Sequence, residues 1–288
     1  MIETLFSLAF LAQVVRIAVP YVLATLGGVI TERSGVIDLA LEAKLLFGAF
    51  TAAAVAYATG SSLAGIAAGM LAGAAVAALQ VVLALRFYAN QVIIGIGLNI
   101  IALGGTRFLL QLIFHEGANS PPAPSYGDAV FGNPLVWIAA LAAVLVPFSL
   151  TRTRWGLRLR AAGDRPDSLR AVGIDPVRPR LLAGLVGGAL AGAGGAQLSL
   201  VVGGFSADMS NGRGYIALAM VILSGWRPAY AALACFGIAI AEAINIQLQV
   251  TGSGLPTELV SQLPYVLTLF APLFYRNLSR APAAIGKV

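Results

Sequence analysis

Charged residues are scarce in this sequence of 288 residues: they make up 10%, against about 25% in soluble globular domains. Hydrophobic residues make up 59%, and the mean hydropathy is +0.88. A soluble core does not explain such an excess of apolar residues. The composition therefore excludes a soluble domain and predicts a polytopic membrane protein.

Cysteine and histidine occur once each, at Cys235 and His115. A single cysteine cannot form a disulfide within the chain, and its position in an apolar run predicts a buried structural thiol. One histidine excludes a His-based metal site or a Ser-His-Asp triad built from this chain alone. The nucleotide-phosphate pattern G-x-x-x-x-G-K-[ST] is also missing. We therefore expect a protein that is not an enzyme and binds no cofactor; if ATP drives it, another chain hydrolyses the ATP.

Apolar runs follow one another along the whole chain, and each membrane crossing needs about 20 such residues. Backbone groups in lipid require internal partners, so these runs should be α-helices. We predict an all-α polytopic membrane protein, a single transmembrane domain over residues 1–288 with about nine segments. The segments lie near 5–30, 36–58, 62–86, 90–114, 134–151, 181–203, 211–224, 227–250 and 258–276. The segment at 211–224 is too short to cross alone, and charge at the start of 36–58 suggests a broken helix.

The basic residues are distributed unevenly. Residues 152–180 contain eight of the 18 lysines and arginines and three acids, whereas 115–133 and 251–257 contain no lysine or arginine. Short basic loops stay in the cytoplasm, which places 152–180 inside, the other two loops outside and the N-terminus outside.

This topology is compatible with two four-helix halves of opposite orientation, 5–114 and 181–276. "SGVIDLALEAKLLFGAF" at 34–50 faintly resembles "NGRGYIALAMVILSGW" at 211–226, since both have a glycine turn and then an apolar run. Inverted repeats with interrupted helices at equivalent places are a recurrent transporter plan. Glycines recur every four residues at 65, 69 and 73, and again at 184, 188 and 192. This spacing predicts close helix packing.

Polar residues inside the spans are the candidates for a transport pathway, because an intramembrane charge must face protein or water. Asp38 and Glu42 are four residues apart, which on a continuous helix would put them on one face. Either they border the pathway or Asp38 caps a broken helix. Lys44 could neutralise one of them or extend towards the interface. Asn99 and Asn245, on two other segments, are the remaining pathway candidates.

Two neighbouring charges, Glu32 and Arg33, are expected at the membrane interface, where they cost little. Glu242 joins Asp38 and Glu42 as a candidate proton relay if the protein is an ion-coupled transporter. Each polar residue in a span could instead form an interhelical hydrogen bond, and the sequence leaves both readings open.

The basic loop contains "GDRPDSLRAVGIDP", which predicts a short helix near 165–172. Asp164 and Pro166 are start signals and Gly173 is a stop signal. A capped helix in a cytoplasmic loop suggests a docking surface for a partner. The residues that we assign to this surface are Asp164, Arg165, Ser168, Arg170 and Gly173.

Four stretches resemble the permease subunits of bacterial ATP-binding-cassette importers, in the branched-chain amino acid, ribose and nucleoside permease family. They are "TERSGVIDLALEAKLLFGAF", "NQVIIGIGLNIIALGGT", "WGLRLRAAGDRPDSLRAVGIDPVRPR" and "GRGYIALAMVILSGWRP", in the family's order over most of the chain. The first stretch looks most like the simple-sugar and nucleoside branch. Two positions depart from that branch's usual pattern: Asp38 stands where asparagine is frequent, and Ala43-Lys44 where glycine and an apolar residue are usual.

The resemblance implies a multi-pass subunit of the bacterial inner membrane that imports a nucleoside or a simple sugar such as ribose. It also implies a second permease subunit, identical or different, a cytoplasmic ATPase that uses ATP, and an extracytoplasmic solute-binding protein. We expect membrane lipid around the chain and no nucleic acid partner. Branched-chain amino acids are the second substrate class, and the alternatives from other classes are an ion-coupled secondary transporter and a structural membrane subunit.

Overall fold

The computed structural model describes residues 8–127, 130–250 and 281–287. Its described part is built from ten helices joined by short turns and one longer loop. They are α1 (Leu8–Arg33), α2 (Leu41–Thr59), α3 (Ser62–Arg86), α4 (Gln91–Phe114), α5 (Pro134–Arg152), α6 (Arg154–Asp164), α7 (Pro166–Ala171), α8 (Val177–Val202), α9 (Arg213–Leu223) and α10 (Pro228–Val250).

Seven of these helices, α1 to α5, α8 and α10, are long and apolar enough to cross a membrane. Helix α9 has 11 residues and is about 16 Å long, roughly half the hydrocarbon thickness. The predictions of an all-α polytopic membrane protein, of a short segment at 211–224 and of a break at the start of 36–58 are confirmed. The ninth predicted segment, 258–276, lies outside the described residues, so the count of nine stays a prediction. The repeat halves 5–114 and 181–276 also stay a prediction.

Polar side chains begin several helices where the sequence changes from loop to apolar run. Asn90 accepts hydrogen bonds from the backbone N–H groups of Val92 and Ile93, at 2.9 and 3.3 Å. Asn133 caps α5 and Thr153 caps α6 in the same way. Such caps satisfy N–H groups that have no partner inside the helix, so they place the helix ends.

The two glycine stripes pack directly against each other, as their spacing predicts. A Cβ at Gly192 would lie 2.1 Å from the carbonyl oxygen of Gly69, and a Cβ at Gly73 would lie 2.2 Å from that of Gly188. Only glycine permits this approach of α3 and α8. Helix α2 joins the same contact, since a Cβ at Gly195 would lie 2.0 Å from the carbonyl oxygen of Leu45.

The bundle has two ends, which α8 connects. At the basic end, Arg33 Nε donates to the carbonyl of Trp226 at 2.8 Å and Arg180 Nη2 to that of Ala162 at 3.1 Å. At the opposite end, which we call the loop end, the backbone N–H of Ala123 donates to the carbonyl of Gly203 at 2.8 Å. The 26 residues of α8 extend about 39 Å. The described residues of 115–133 therefore lie at the opposite end of α8 from residues 152–180.

Helices α2 and α9 begin inside the bundle and run to opposite ends. Helix α2 runs to the loop end, where Ser62 just after it donates to the carbonyl of Pro124 at 3.1 Å. Helix α9 runs to the basic end, where Trp226 just after it bonds to Glu32. Their first turns touch, since a Cβ at Gly214 would lie 2.4 Å from the backbone nitrogen of Glu42.

Candidate functional site: the junction of two interrupted helices

The two N-termini of α2 and α9 meet around the carboxylate of Glu42. Its oxygens accept hydrogen bonds from Ser210 Oγ at 2.7 Å and from the backbone N–H groups of Gly212 at 2.9 Å and Gly214 at 2.6 Å. Glu42 itself stands in the first turn of α2. The N-terminus of a helix carries a partial positive charge, so one buried carboxylate compensates two helix ends at once. We call this arrangement the helix junction.

Asn99 of α4 completes the helix junction from the other side. Its side-chain oxygen accepts from the backbone N–H of Ala43 at 3.0 Å, which caps the first turn of α2. Its amide nitrogen donates to the carbonyl of Leu39 at 2.9 Å and to the hydroxyl of Tyr215 at 3.2 Å. Asn99 therefore ties the chain before α2, the start of α2 and the start of α9 together.

Asp38 has a different role from the helix cap that the sequence allows. It precedes α2, whose N-cap is Ala40 without a side-chain cap, so Asp38 and Glu42 do not share a helix face. The Asp38 carboxylate instead forms an ion pair with Lys44, and both side chains are fully buried. Of the two alternatives for Lys44, the structure shows the first, in which it neutralises one of the two acids. The cap alternative is wrong because α2 begins at Leu41, so that Ala40 occupies the N-cap position and Asp38 stands two residues before it.

Glu32 lies at the basic end of the bundle, but it is not exposed to solvent there; its position at the membrane interface stays a prediction. It is buried, and its carboxylate accepts from the indole N–H of Trp226 and from the backbone N–H of Asp38. The non-helical segment after α1 folds back over Glu32 and excludes its side chain from solvent. Arg33 is partly exposed and bonds to the carbonyl of Trp226, so this pair of neighbours joins α1 to the end of α9.

Two glutamines hold the break between α1 and α2 in shape. Gln91 Oε1 accepts from the backbone N–H of Ile37 at 2.7 Å, and Gln80 Nε2 donates to the carbonyl of the same residue at 2.9 Å. A non-helical segment inside a membrane domain needs such side-chain partners for its backbone. The sequence signal was the pair of glutamines inside apolar runs.

The other predicted pathway residue, Asn245, lies outside the helix junction as far as the structure describes it. Its side-chain oxygen accepts from Gln249 Nε2 at 2.7 Å on the same helix. Nearby on α10, Glu242 accepts from Arg213 Nη2 at 2.7 Å and from the hydroxyl of Tyr21 at 2.8 Å. This group joins α9 and α10 to α1. Cys235 is buried as predicted, and its thiol lies 3.2 Å from the hydroxyl of Thr25.

Polar residues with exposed side chains lie beside the helix junction. Arg107 of α4 forms an ion pair with Asp208, and their side chains are 59% and 37% exposed. Asp208 stands two residues before Ser210, which bonds to Glu42. Tyr215, the partner of Asn99, is 51% exposed. A charge on a membrane helix, such as that of Arg107, must face water or protein, since exposure to hydrocarbon costs several kcal/mol per charge.

The basic region is almost entirely helical. Helix α7 confirms the predicted short helix, and Gly173, with φ +74°, ends it as expected. The backbone N–H groups of Gly173 and Ile174 donate back to the carbonyls of Arg170 and Leu169, which closes the last turn. The start signal was partly misplaced: Asp164 is the last residue of α6, and α7 begins at Pro166.

Helix α6 was not predicted. Its buried positions are spaced as on one face of a helix: Gly156, Leu159, Ala162 and Gly163. The intervening arginines concealed this pattern from a reading based on apolar runs. The five residues assigned to partner docking, Asp164, Arg165, Ser168, Arg170 and Gly173, are all exposed; their docking role stays a prediction.

The family model described as branched-chain amino acid transport system / permease component matches residues 10–272. The chain belongs to this family of permease components and is a multi-pass membrane protein. No solved structure matches the chain.

Three curated relatives are similar to this chain over most of its length. It is 31% identical to the guanosine ABC transporter permease protein NupQ of Bacillus subtilis, over 93% of this chain and 92% of that protein. It is 32% identical to the putative glucose ABC transporter permease protein TsgC13 of Haloferax volcanii, over 85% and 79%. It is 29% identical to the nucleoside ABC transporter permease protein NupC of Lactococcus lactis, over 96% and 94%.

Proposed function

We propose that this chain is a permease subunit of an ATP-binding-cassette importer that carries a nucleoside or a simple sugar across the inner membrane. The observation that carries the proposal is its similarity, over nearly its whole length, to permeases named for guanosine, nucleosides and glucose. The family description favours branched-chain amino acids as the second substrate class. An ion-coupled carrier has less support, because Asp38, Glu42 and Glu242 are each held by internal donors or cations.

The proposed complex contains a second permease, a cytoplasmic ATPase and an extracytoplasmic solute-binding protein. Two guanosine permease proteins of Bacillus subtilis, NupQ and NupP, both resemble this chain, which supports a pair of different permeases. ATP is bound and hydrolysed by the ATPase, and this chain carries no enzymatic step. The exposed α6–α7 region, with its arginines, is the surface offered to the ATPase.

The proposed pathway runs over the face of α4 and α9. Asn99 is the predicted residue best placed for it, because it supports Tyr215 at this face. Arg107 and Asp208 add a donor and an acceptor on an exposed surface, which suits a solute rich in hydroxyl groups. Asp38 and Glu42 contribute indirectly, because they position the starts of the helices. Asn245 lies on α10, outside the helix junction, and it stays a proposed pathway residue.

The test is ATP-dependent uptake into proteoliposomes that contain the purified permeases, the ATPase that co-purifies with them and the solute-binding protein. Labelled guanosine, ribose, glucose and leucine are compared. We expect saturable uptake of a nucleoside or a sugar, with leucine at background. Uptake of leucine alone would move the assignment to branched-chain amino acids. Uptake driven by a proton gradient without the ATPase would replace the importer by a secondary transporter.

A further inference from the structure

The end of α6 touches the turn after α1 closely through backbone atoms. A Cβ at Gly163 would lie 2.2 Å from the carbonyl oxygen of Arg33, and a Cβ at Gly35 would lie 3.2 Å from the Cα of Gly163. Gly35 has φ +97°, a conformation that side chains rarely adopt. Where Gly163 meets Arg33 and Gly35, backbone lies against backbone, so a shift of α6 cannot be absorbed there by a change of rotamer.

Residues 281–287 bind across the same contact. The backbone N–H of Ala284 donates to the carbonyl of Gly163 at 2.8 Å, and that of Gly286 donates to the carbonyl of Gly35 at 3.0 Å. Ala284 is buried. The segment is folded on itself, since the N–H of Ile285 donates to the carbonyl of Pro282 at 3.1 Å. One short turn thus bonds at once to α6 and to the segment that leads into α2.

Arg180 of α8 makes a second bridge between the same two elements. Its Nε donates to the carbonyl of Ser34 at 3.2 Å and its Nη2 to the carbonyl of Ala162 at 3.1 Å. The residue is 4% exposed, so these bonds are shielded from competing water. A planar guanidinium can span two acceptors in this way, whereas a lysine ammonium provides a single point of attachment.

The bridged turn leads directly to the helix junction. Gly35 is followed by Ile37, which the two glutamines hold, by Asp38, which pairs with Lys44, and then by Glu42. The two Ile37 contacts are partly buried and the Asp38–Lys44 pair is fully buried, and Glu42 stands only seven positions after Gly35. A displacement of the turn is therefore passed on to the start of α2.

We propose that residues 281–287 and Arg180 form a clasp that makes α6 and the 34–37 turn move as one body, and that this clasp transmits the state of the ATPase to the helix junction. The proposal rests on the proposed function, and it goes beyond it by assigning a coupling role to a segment far from α6 in sequence. Arg180 and Ala284 are positioning residues and do not touch the solute.

The first test removes the segment by a stop codon after Arg280 and uses the complete transporter in proteoliposomes. We expect insertion, ATPase co-purification and basal ATP turnover to match wild type. Solute-dependent stimulation of ATP turnover and uptake should fall about fivefold to tenfold, within the usual range of coupling between sites. The variant Lys287→Ala keeps the backbone bonds and controls for the lost charge.

The second test is Arg180→Lys, which keeps the charge but cannot bridge both carbonyls. Its matched control is Arg178→Lys, an exposed arginine two residues earlier on α8. We expect only the change at 180 to lower the ratio of uptake to ATP hydrolysed.

The clasp is refuted if both the truncated chain and Arg180→Lys keep the wild-type ratio. It is also refuted if uptake falls only in proportion to the amount of folded, assembled protein, since that result indicates a purely structural contact. A wild-type complex without ATP-dependent uptake would refute the proposed function instead, so the two failures are distinguishable.

Discussion

At the scale of single residues, the two departures from the nucleoside and sugar branch prove to be partners. Asp38 replaces a frequent asparagine and Lys44 replaces a usual apolar residue, and the two side chains form one buried ion pair. Each charge alone would be expensive in the membrane interior. The departures are therefore explained by each other and do not by themselves indicate an unusual solute.

Lys44→Leu should lower stability severely, because it leaves the Asp38 carboxylate buried without its cation. Breaking a buried pair costs about 3–5 kcal/mol. The double variant Asp38→Asn/Lys44→Leu should recover most of this loss, since it removes both charges. Thermal unfolding of the detergent-solubilised protein measures the cycle. A double variant as unstable as Lys44→Leu would contradict the pairing argument.

Glu42 is the residue on which the starts of both α2 and α9 depend. Glu42→Gln keeps the shape but removes the negative charge, and hydrogen bonds to charged groups contribute roughly 1 kcal/mol more than neutral ones. We expect a loss of about 1–2 kcal/mol in stability and weaker uptake. Glu116→Gln, in the exposed loop, is the control. If Glu42→Gln raised only the KM for the solute at unchanged unfolding temperature, Glu42 would be a solute contact and not a helix-capping residue.

At the scale of elements, glycine decides where helices may touch and where they must end. Within α3, α8 and α2 it permits backbone contact. In α4, Gly97 and Gly104 have open space around them, so glycine there has no packing requirement. The same residue type thus has different consequences on different helices, and paired substitutions can separate them.

Gly192→Ala should destabilise the bundle, because its Cβ would meet the Gly69 carbonyl at 2.1 Å, and backbone cannot move aside easily. Gly104→Ala should be neutral or stabilising by about 1 kcal/mol, since alanine is the better helix former. The yield of monodisperse protein and its unfolding temperature report the difference. Equal behaviour of the two variants would show that α3 and α8 can separate without cost.

Gly173→Val concerns the end of α7. A β-branched residue resists the positive φ found there, although the position is otherwise open. We expect normal insertion but weaker ATPase co-purification and weaker solute-stimulated ATP turnover. The exposed substitution Ala171→Ser is the control for altered surface chemistry. Wild-type values for both measurements would contradict the docking role and leave the 152–180 region only as a signal for membrane topology.

At the scale of the whole molecule, the bundle separates a basic end from a loop end without lysine or arginine in 115–133. The two ends are joined by α8, and the helix junction lies between them. In the proposed complex, each soluble partner has its own end: the ATPase at α6–α7 and the solute-binding protein at the loop end. The sidedness itself is a prediction from charge.

Cysteine labelling tests the sidedness. In a Cys235→Ser background, Ser125→Cys and Ser168→Cys place one thiol in an exposed position at each end. An impermeant thiol reagent applied to intact cells should label residue 125 and leave residue 168 unlabelled until the membrane is opened. Equal labelling of both in intact cells would overturn the topology.

The sequence by itself determined the class of protein, the helical segments and the close packing of the glycine stripes. Hydropathy and glycine spacing are local properties, so they can be interpreted from the sequence without knowledge of the fold. The break before α2 and the shortness of α9 were visible for the same reason, as was the stop at Gly173. Helix α6 was not recognised because three of its four buried residues are glycine or alanine and arginines stand between them.

Only the tertiary structure decided what the polar residues do. Asp38 could have been a cap, a pathway residue or an ion-pair partner, and the sequence allowed all three. Glu42 bonds to Gly214, 172 positions away, and Arg180 to Ser34, 146 positions away. A buried polar group must be satisfied by whatever donors the fold brings to it. That choice is made by packing between distant segments, which no local pattern encodes.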